Sequence, residues 1–395
     1  MKNNNYIYYS QPDLDKSDYR CLKKVFNSNF LTQGPEIKNF EKKIAKFVKV
    51  KYATGFNSAT SALHASCFSL GFEKNNILWT VPNSFVASAN CSLYLGGKVN
   101  FVDISKDTKN IDVEKLREKL KNTKKKNLPK ILVTVDFGGN PVLQDEIFYL
   151  SKKYNFKIIE DASHALGAMY KKNMVGNCKW SDVTVFSFHP VKTITTIEGG
   201  IATTNNFKIY NKMQMFRTHG ITRTKAFLIN SKEKRNDWYY EQHFLGYNYR
   251  MSDVSAALGI NQLKKIKRLI NKRNEIAKFY NKHLSKLPLK LPVLTPYSKS
   301  TFHLYTIQIV LDEESKIRKR LYEYLKKQGI ITNVHYLPVH LHPYYKKLGF
   351  KKNQYPISEY HAQSSLSLPI YPSLSLKNMK KIVTLIKKFF QKKKY

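Results

Sequence analysis

The chain has 395 residues, 42% of them apolar, which fits one large folded domain and a smaller one rather than a single ordinary core. Lys and Arg number 68 against 28 Asp and Glu, a formal charge of +40, but lysine pairs such as Lys42-Lys43, Lys152-Lys153 and Lys264-Lys265 are spread along outer helix faces. That pattern reads as solvated surface that favours acidic ligands, not as a nucleic-acid or membrane patch. No stretch is apolar for long enough to span a bilayer and the opening residues lack a signal-peptide core, while Cys21, Cys67, Cys91 and Cys178 form neither a CxxC site nor a paired framework, so a reducing cytoplasm is expected.

In chain order, Gly55-Phe56-Asn57-Ser58-Ala59-Thr60-Ser61-Ala62-Leu63 leads small and hydroxyl residues into a helix over about 59–68. Free N–H groups at such a start, with the Thr60 and Ser61 hydroxyls beside them, suit a phosphate. An ordinary helix cap uses the same residue types. Phe85, in Pro82-Asn83-Ser84-Phe85-Val86-Ala87, is either core or a ring that stacks on a flat ligand. From about residue 50 onward short apolar runs alternate with helical patterns, the signature of a sheet covered by helices. Strands are expected over 131–136, 156–160, 183–187 and 201–203, with a crossover helix over 144–154 that turns Ile147, Leu150 and Ser151 to one face.

The apolar run 156–160 ends in Asp161-Ala162-Ser163-His164. Asp161 caps the next helix, or it is a buried carboxylate paired with a pyridinium nitrogen, which keeps the ring protonated and makes it an electron sink. Lysines are surface residues by default, and Lys192 differs from the rest in its setting. It follows a buried strand in Ser187-Phe188-His189-Pro190-Val191-Lys192 and is flanked by Ser, His and Thr instead of other charges. Partial desolvation there lowers the pKa and keeps a neutral, nucleophilic amine available.

Past Met251 a long helix is expected over 252–287, with Val254, Leu258, Leu263, Ile266 and Ile270 at mostly helical spacing until Pro288 and Pro292 break it. A strand over 304–310 and helices over 317–328 and 376–390 then make a small α+β domain hung on the long helix. The chain so divides into 1–251 and 252–395. His340 and His342 have no acidic or cysteine residue beside them in the sequence and are expected to belong to a pocket-lining or surface loop, with no metal site. Lys387-Lys388 and Lys392-Lys393-Lys394 read as a solvated helix end or frayed tail.

The phosphate cradle, ring acid and lysine lie in the order and spacing of one known arrangement. From Leu31-Thr32-Gln33-Gly34-Pro35 to the C-terminal helix the chain resembles the DegT/DnrJ/EryC1/StrS family of sugar aminotransferases that use pyridoxal 5′-phosphate (PLP). Segments 56–63, 82–90, 160–167 and 186–200 carry the resemblance, with Phe216-Arg217-Thr218-His219-Gly220 and Gly246-Tyr247-Asn248-Tyr249-Arg250-Met251. It implies an α/β chain of the PLP-dependent transferase fold type I, aspartate aminotransferase-like, with a mixed, mostly parallel sheet in the large domain.

The resemblance also assigns roles. Lys192 matches the Schiff-base lysine and Asp161 the partner of the pyridine nitrogen. Thr60, Ser61 and Ser187 match phosphate contacts, with Ala59 lending its backbone, while Phe85 and His164 lie against the ring. Asn248 matches an asparagine that reaches the phosphate of the neighbouring subunit, which implies a homodimer with shared sites. Tyr8, Gln33, His335 and Tyr336 are implied substrate contacts. Some family members carry His in place of the lysine and catalyse dehydration, whereas this chain keeps Lys192. The stretch 334–345 resembles the members of pseudaminic acid biosynthesis, which implies L-glutamate as donor, 2-oxoglutarate as co-product and amination at C4 of a UDP-linked 4-keto-6-deoxy-N-acetylhexosamine. A dTDP- or GDP-linked ketone, or amination at C3, stays open as an alternative.

Overall fold

The computed structural model describes residues 6–230, 232, 236–310 and 316–391, so the lysines expected to form a tail at 392–394 lie outside the described residues. The apolar runs form a seven-stranded sheet from β1 Tyr52–Phe56, β2 Ile77–Thr80, β3 Lys98–Phe101, β4 Ile131–Val135, β5 Lys157–Asp161, β6 Val183–Ser187 and β7 Gly200–Thr204, ordered β1-β7-β6-β5-β4-β2-β3. From β3 to β6 neighbours pair in parallel, and β7 alone opposes both of its neighbours. The expected bounds 183–187 match, 131–136 runs one residue long, and 156–160 and 201–203 are each off by one residue at both ends, the usual uncertainty of element termini.

A period of two divides these strands between two cores. Ile131, Val133 and Ile159 enter one, and Leu132 and Ile158 enter the other. Each such buried aliphatic side chain contributes about 1.5–3 kcal/mol. The helices of this half are α1 Lys16–Phe26, α2 Pro35–Val48, α3 Ala59–Ser69, α4 Ala87–Leu93, α5 Val113–Asn122, α6 Gln144–Tyr154 and α7 Phe207–Phe216. α6 spans the expected crossover and buries Ile147, Leu150 and Ser151 as its pattern requires.

α8 Asp253–Leu284 opens on a Ser252 cap, whose side chain accepts from Ser255 N, and joins two cores along its length. Ala256, Ile266 and Leu269 pack with Phe40, Phe186 and Phe188, whereas Ile276, Tyr280 and Leu284 pack with Tyr305, Ile307 and Leu366. The second core covers a small antiparallel sheet of β8 Leu289–Lys290, β9 Tyr305–Ile309 and β10 Ser365–Leu368, flanked by α9 Lys316–Lys327 and α10 Leu376–Gln391.

Packing does not divide the chain at residue 251. Ile7 bridges to Ile330 and lies in the core of the second half, while Val339 and Tyr345 lie in a core of the first. The carboxyl ends of β4, β5 and β6, at Val135, Asp161 and Ser187, line one cavity, the place where ligands bind in open α/β sheets.

Candidate active site

α3 begins just past β1, and its start is a wall of the site. Ser58 caps it by accepting from Ser61 N, which leaves the N–H groups of Ala59 and Thr60 with no protein partner among the described residues. β7 approaches closely because residue 200 is glycine: a Cβ there would lie 2.4 Å from Ala59 N and 2.5 Å from the Ser58 carbonyl carbon. The result is a rigid, anion-accepting helix start.

Phe188 ties the loop after β6. Its N–H donates to Gly199 O, its carbonyl accepts from Thr196 N and from Thr195 Oγ1 at 3.0 Å, and its ring is buried. Lys192 stands in the middle of this closed loop, held by Lys192 N to His189 O and by Ser10 Oγ donating to Val191 O at 3.2 Å. Its amine makes no ion pair or hydrogen bond among the described residues. Enclosure pulls its pKa down to about 8, partly offset by the Asp161 carboxylate. At pH 8 about half of such amines are neutral, against about 0.3% for an ordinary lysine. The rate of covalent attachment of an aldehyde cofactor is therefore expected to rise with pH and level off above about 8, instead of climbing to 10.5. Absorbance-monitored reconstitution of apoprotein across pH 6–10 checks this.

Asp161 ends β5, in register between Val135 and Val185, and is buried. Ser88 Oγ donates to its Oδ2 at 2.6 Å and Ser163 Oγ to its Oδ1 at 2.5 Å. The facing wall is imidazole and phenol. Gly138 N–H donates to His164 Nδ1 at 3.2 Å, so the proton of this ring sits on Nε2 and is donated to the Tyr336 oxygen at 3.2 Å. The Tyr336 hydroxyl proton is thereby free to point elsewhere. His303 lies 4.3 Å from His164 between ring centres, and His335 bonds Ser367 Oγ through Nδ1 at 2.8 Å. Burial, then the charge of Lys192, pulls His335 down to about 3, and burial first of all lowers His164 and His303 as well, so all three are neutral near pH 7.

These groups enclose one cavity of about 540 Å³, and Lys192 is the sole lysine or arginine among the described residues lining it. Of the residues singled out in the sequence, Ala59, Thr60, Phe85, Asp161, His164, Ser187, Lys192, His335 and Tyr336 line it. The Phe85 ring is 60% exposed, an unusual state for a phenylalanine beside a cavity.

Four others stand elsewhere in the single chain. Ser61 is drawn into the cap, donating to Asn57 Oδ1 at 2.6 Å, so its hydroxyl lies behind the wall and Ser58 takes its place. Tyr8 is exposed and touches Tyr6, and the next residue, Tyr9, faces the cavity with its ring 5.5 Å from His335. Gln33 is exposed at a positive φ of 57° just before α2, where Asp253 fastens the turn by accepting from Gly34 N at 2.7 Å. Asn248 is exposed between Tyr247 and Tyr249, whose rings stack 4.9 Å apart and pack around His64. Sequence reasoning missed Ser88, Ser163, His303 and Asn333. Ser88 had a signal, lying one helical turn after Phe85, whereas His303 sits in a loop with no local mark.

Residues 12–387 match the DegT/DnrJ/EryC1/StrS aminotransferase family. The chain is 42% identical over 376 residues, 95% of each chain, to the UDP-4-amino-4,6-dideoxy-N-acetyl-beta-L-altrosamine transaminase of Campylobacter jejuni. Among solved structures, Helicobacter pylori PseC, an aminotransferase involved in the biosynthesis of pseudoaminic acid, superposes with a TM-score of 0.89 at 34% identity, covering 98% of this chain and 100% of that one. Spr1654 of Streptococcus pneumoniae, solved in a PLP form, superposes with a TM-score of 0.88 at 27% identity over 98% and 99% of the two chains. Agreement over nearly the full length of each relative leaves one assignment: the chain belongs to the DegT/DnrJ/EryC1/StrS aminotransferase family.

Proposed function

We propose that the cavity binds PLP and that the chain transfers the amino group of L-glutamate to C4 of a UDP-linked 4-keto-6-deoxy-N-acetylhexosamine, giving UDP-4-amino-4,6-dideoxy-N-acetyl-beta-L-altrosamine for pseudaminic acid biosynthesis. The observation that carries this reading is the meeting of Lys192, Asp161 and the start of α3 on one cavity, in a chain 42% identical to a transaminase of that name. The residues present fit the cofactor. The unpaired Ala59 and Thr60 N–H groups, with Ser187, suit its phosphate, the exposed Phe85 ring suits a planar partner, and the acceptor-only Asp161 suits a protonated ring nitrogen.

When bound, PLP supplies an electron sink for the charge that develops on the carbon losing its proton. Lys192 Nζ anchors the cofactor, takes the proton from Cα of glutamate and, in the second half, delivers a proton to C4 of the sugar. Glutamate leaves as 2-oxoglutarate and the ketone becomes an amine. Asp161 holds the ring nitrogen in its protonated form. Neutral His164 holds the Tyr336 oxygen, leaving that hydroxyl to donate toward the substrate.

A homodimer with shared sites is part of this reading. Its support is Asn248, displayed on the surface with Leu245 (78% exposed) on the same segment, and with Ile197 (57% exposed) on the lysine loop. A second copy would cover those apolar side chains and receive the asparagine. The cations that hold the UDP diphosphate lie outside this wall, and a partner subunit is their simplest source. No helix among the described residues is long and apolar enough to cross a membrane, and a cytoplasmic site of action belongs to the proposal.

The test is turnover with glutamate and a set of 4-keto nucleotide sugars, read as 2-oxoglutarate released and as the mass of the amino sugar. Product from the UDP-linked N-acetylhexosamine in preference to dTDP- or GDP-linked ketones is expected. Preference for one of the latter would reassign the substrate, and no turnover on any of them would overturn the acceptor class.

A further inference from the structure

Three carboxyl groups lie buried around the ends of β4 and β5: Asp136, Glu160 and Asp161. Burial, then repulsion from Glu160 and Asp161, pushes Asp136 far up, and burial raises Glu160. Asp136 Oδ2 has no hydrogen-bond partner, whereas both oxygens of Asp161 are met by donors: Ser88 Oγ at 2.6 Å, Ser163 Oγ at 2.5 Å and Ser163 N at 3.2 Å. Among the described residues every hydrogen bond to the Asp161 side chain uses it as an acceptor.

Ser88 is fully buried on α4, and its oxygen lies 2.7 Å from Ser84 Oγ. A hydroxyl has one proton. That of Ser88 goes to Asp161, so Ser84 donates to Ser88, and a relay Ser84→Ser88→Asp161 runs from the cavity wall to the acid. Phe85 stands between the two serines in sequence. One five-residue stretch, 84–88, thus supplies both a ring facing the cavity and a donor that orients the acid.

We propose that Ser88 is a positioning residue: backed by Ser84, it holds the Asp161 carboxylate anionic and turned into the cavity, and so sets how firmly Asp161 keeps a proton on the cofactor nitrogen. This rests on PLP occupying the cavity. Without the Ser88 donor the carboxylate becomes a stronger base and draws the shared proton from the ring nitrogen to its own oxygen. Only that proton moves, and the ion pair becomes a neutral pair.

The test uses full-length wild type, Ser88→Ala, Ser88→Thr and Ser163→Ala, each reconstituted with PLP labelled with ¹⁵N in the ring. Ser88→Ala removes one oxygen from a helix and is expected to keep the fold. Its Kd for PLP is expected to rise about tenfold or more, since hydrogen bonds to charged groups are among the stronger ones. At a fixed neutral pH the ring ¹⁵N shift is expected to move from the protonated toward the unprotonated value relative to wild type, as the shared proton passes to the Asp161 oxygen. Ser163→Ala is expected to shift it in the same direction, and Ser88→Thr, which restores the hydroxyl, to return it toward wild type. A ring ¹⁵N shift that is the same in wild type, Ser88→Ala and Ser163→Ala overturns the proposal, even if affinity changes. Failure of the wild type itself to take up PLP overturns the cofactor reading instead, so the two failures are distinct.

Discussion

Lys192→Ala is expected to lower turnover by at least about 10³-fold and to remove covalent cofactor attachment, while leaving the fold intact. The proposed role asks two things of one amine. It bonds the cofactor, and it moves a proton at both substrate carbons, and positioned acid–base catalysis by itself contributes about 10²–10⁴-fold. Other lysines are not expected to substitute, since Lys192 is the sole lysine or arginine on the described cavity wall and its loop is fastened at Phe188 by three separate hydrogen bonds. Borohydride reduction of the wild type followed by tryptic peptide mass mapping should place the label on 180–208, the peptide that spans a blocked Lys192. Label on any other lysine would sink the assignment. The variant loses an amine whose pKa burial had already depressed, so its apoprotein is expected to melt no lower than wild type, which separates lost chemistry from lost structure.

Asp161→Asn is expected to cost about 10²–10³-fold in the glutamate half-reaction, followed by the change in cofactor absorbance. Removing one member of a buried charge pair typically costs about 3–5 kcal/mol, and about 1.4 kcal/mol is a factor of ten. An amide in the same place also turns a donor toward Ser88, which must rotate away from it. The same substitution is expected to stabilise the apoprotein. Asp136 is raised by burial first, then by Glu160 and Asp161, and a carboxyl whose folded pKa is raised costs the fold stability as pH climbs above its unfolded value. Removing the Asp161 charge relieves the smaller share of that cost that Asp161 adds beyond burial and Glu160. A higher melting temperature beside a crippled half-reaction is the expected signature, the usual opposition between a strained site and a relaxed one. A lower melting temperature would mean that Asp161 supports the fold.

Much of this was legible before any coordinates. The crossover helix 144–154 could be read because its apolar face and its flanking strands are local signals, and α8 because thirty residues of helical spacing leave little ambiguity. Lys192 and Asp161 each had a bland alternative, surface charge and helix cap, and only their order along the chain joined them. Ser61 shows the limit of that reasoning. Its hydroxyl stands in a phosphate-like pattern, but Asn57, four residues earlier, captures it, and competition for one proton cannot be judged from spacing. Tyr8 and Tyr9 differ by one step of an extended chain, which turns neighbours to opposite sides, so naming the wrong one reverses the direction of the ring.

By itself the sequence determined the α/β class and the helical connector and singled out Lys192 and Asp161, because each is written in local periodicity or in a contiguous motif. Only the tertiary structure decided that Ile7 bridges to Ile330 in the core of the second half, that His303 lies against His164, that Gly200 lets β7 reach the start of α3, and that Ser88 meets Asp161. Those pairings join residues from 73 to 323 positions apart. Long-range contacts are set by how whole elements dock, and no local pattern records that geometry. Lys192 stood out in its local setting, whereas the hydrogen bonds that Ser88 and Ser163 make to Asp161 did not.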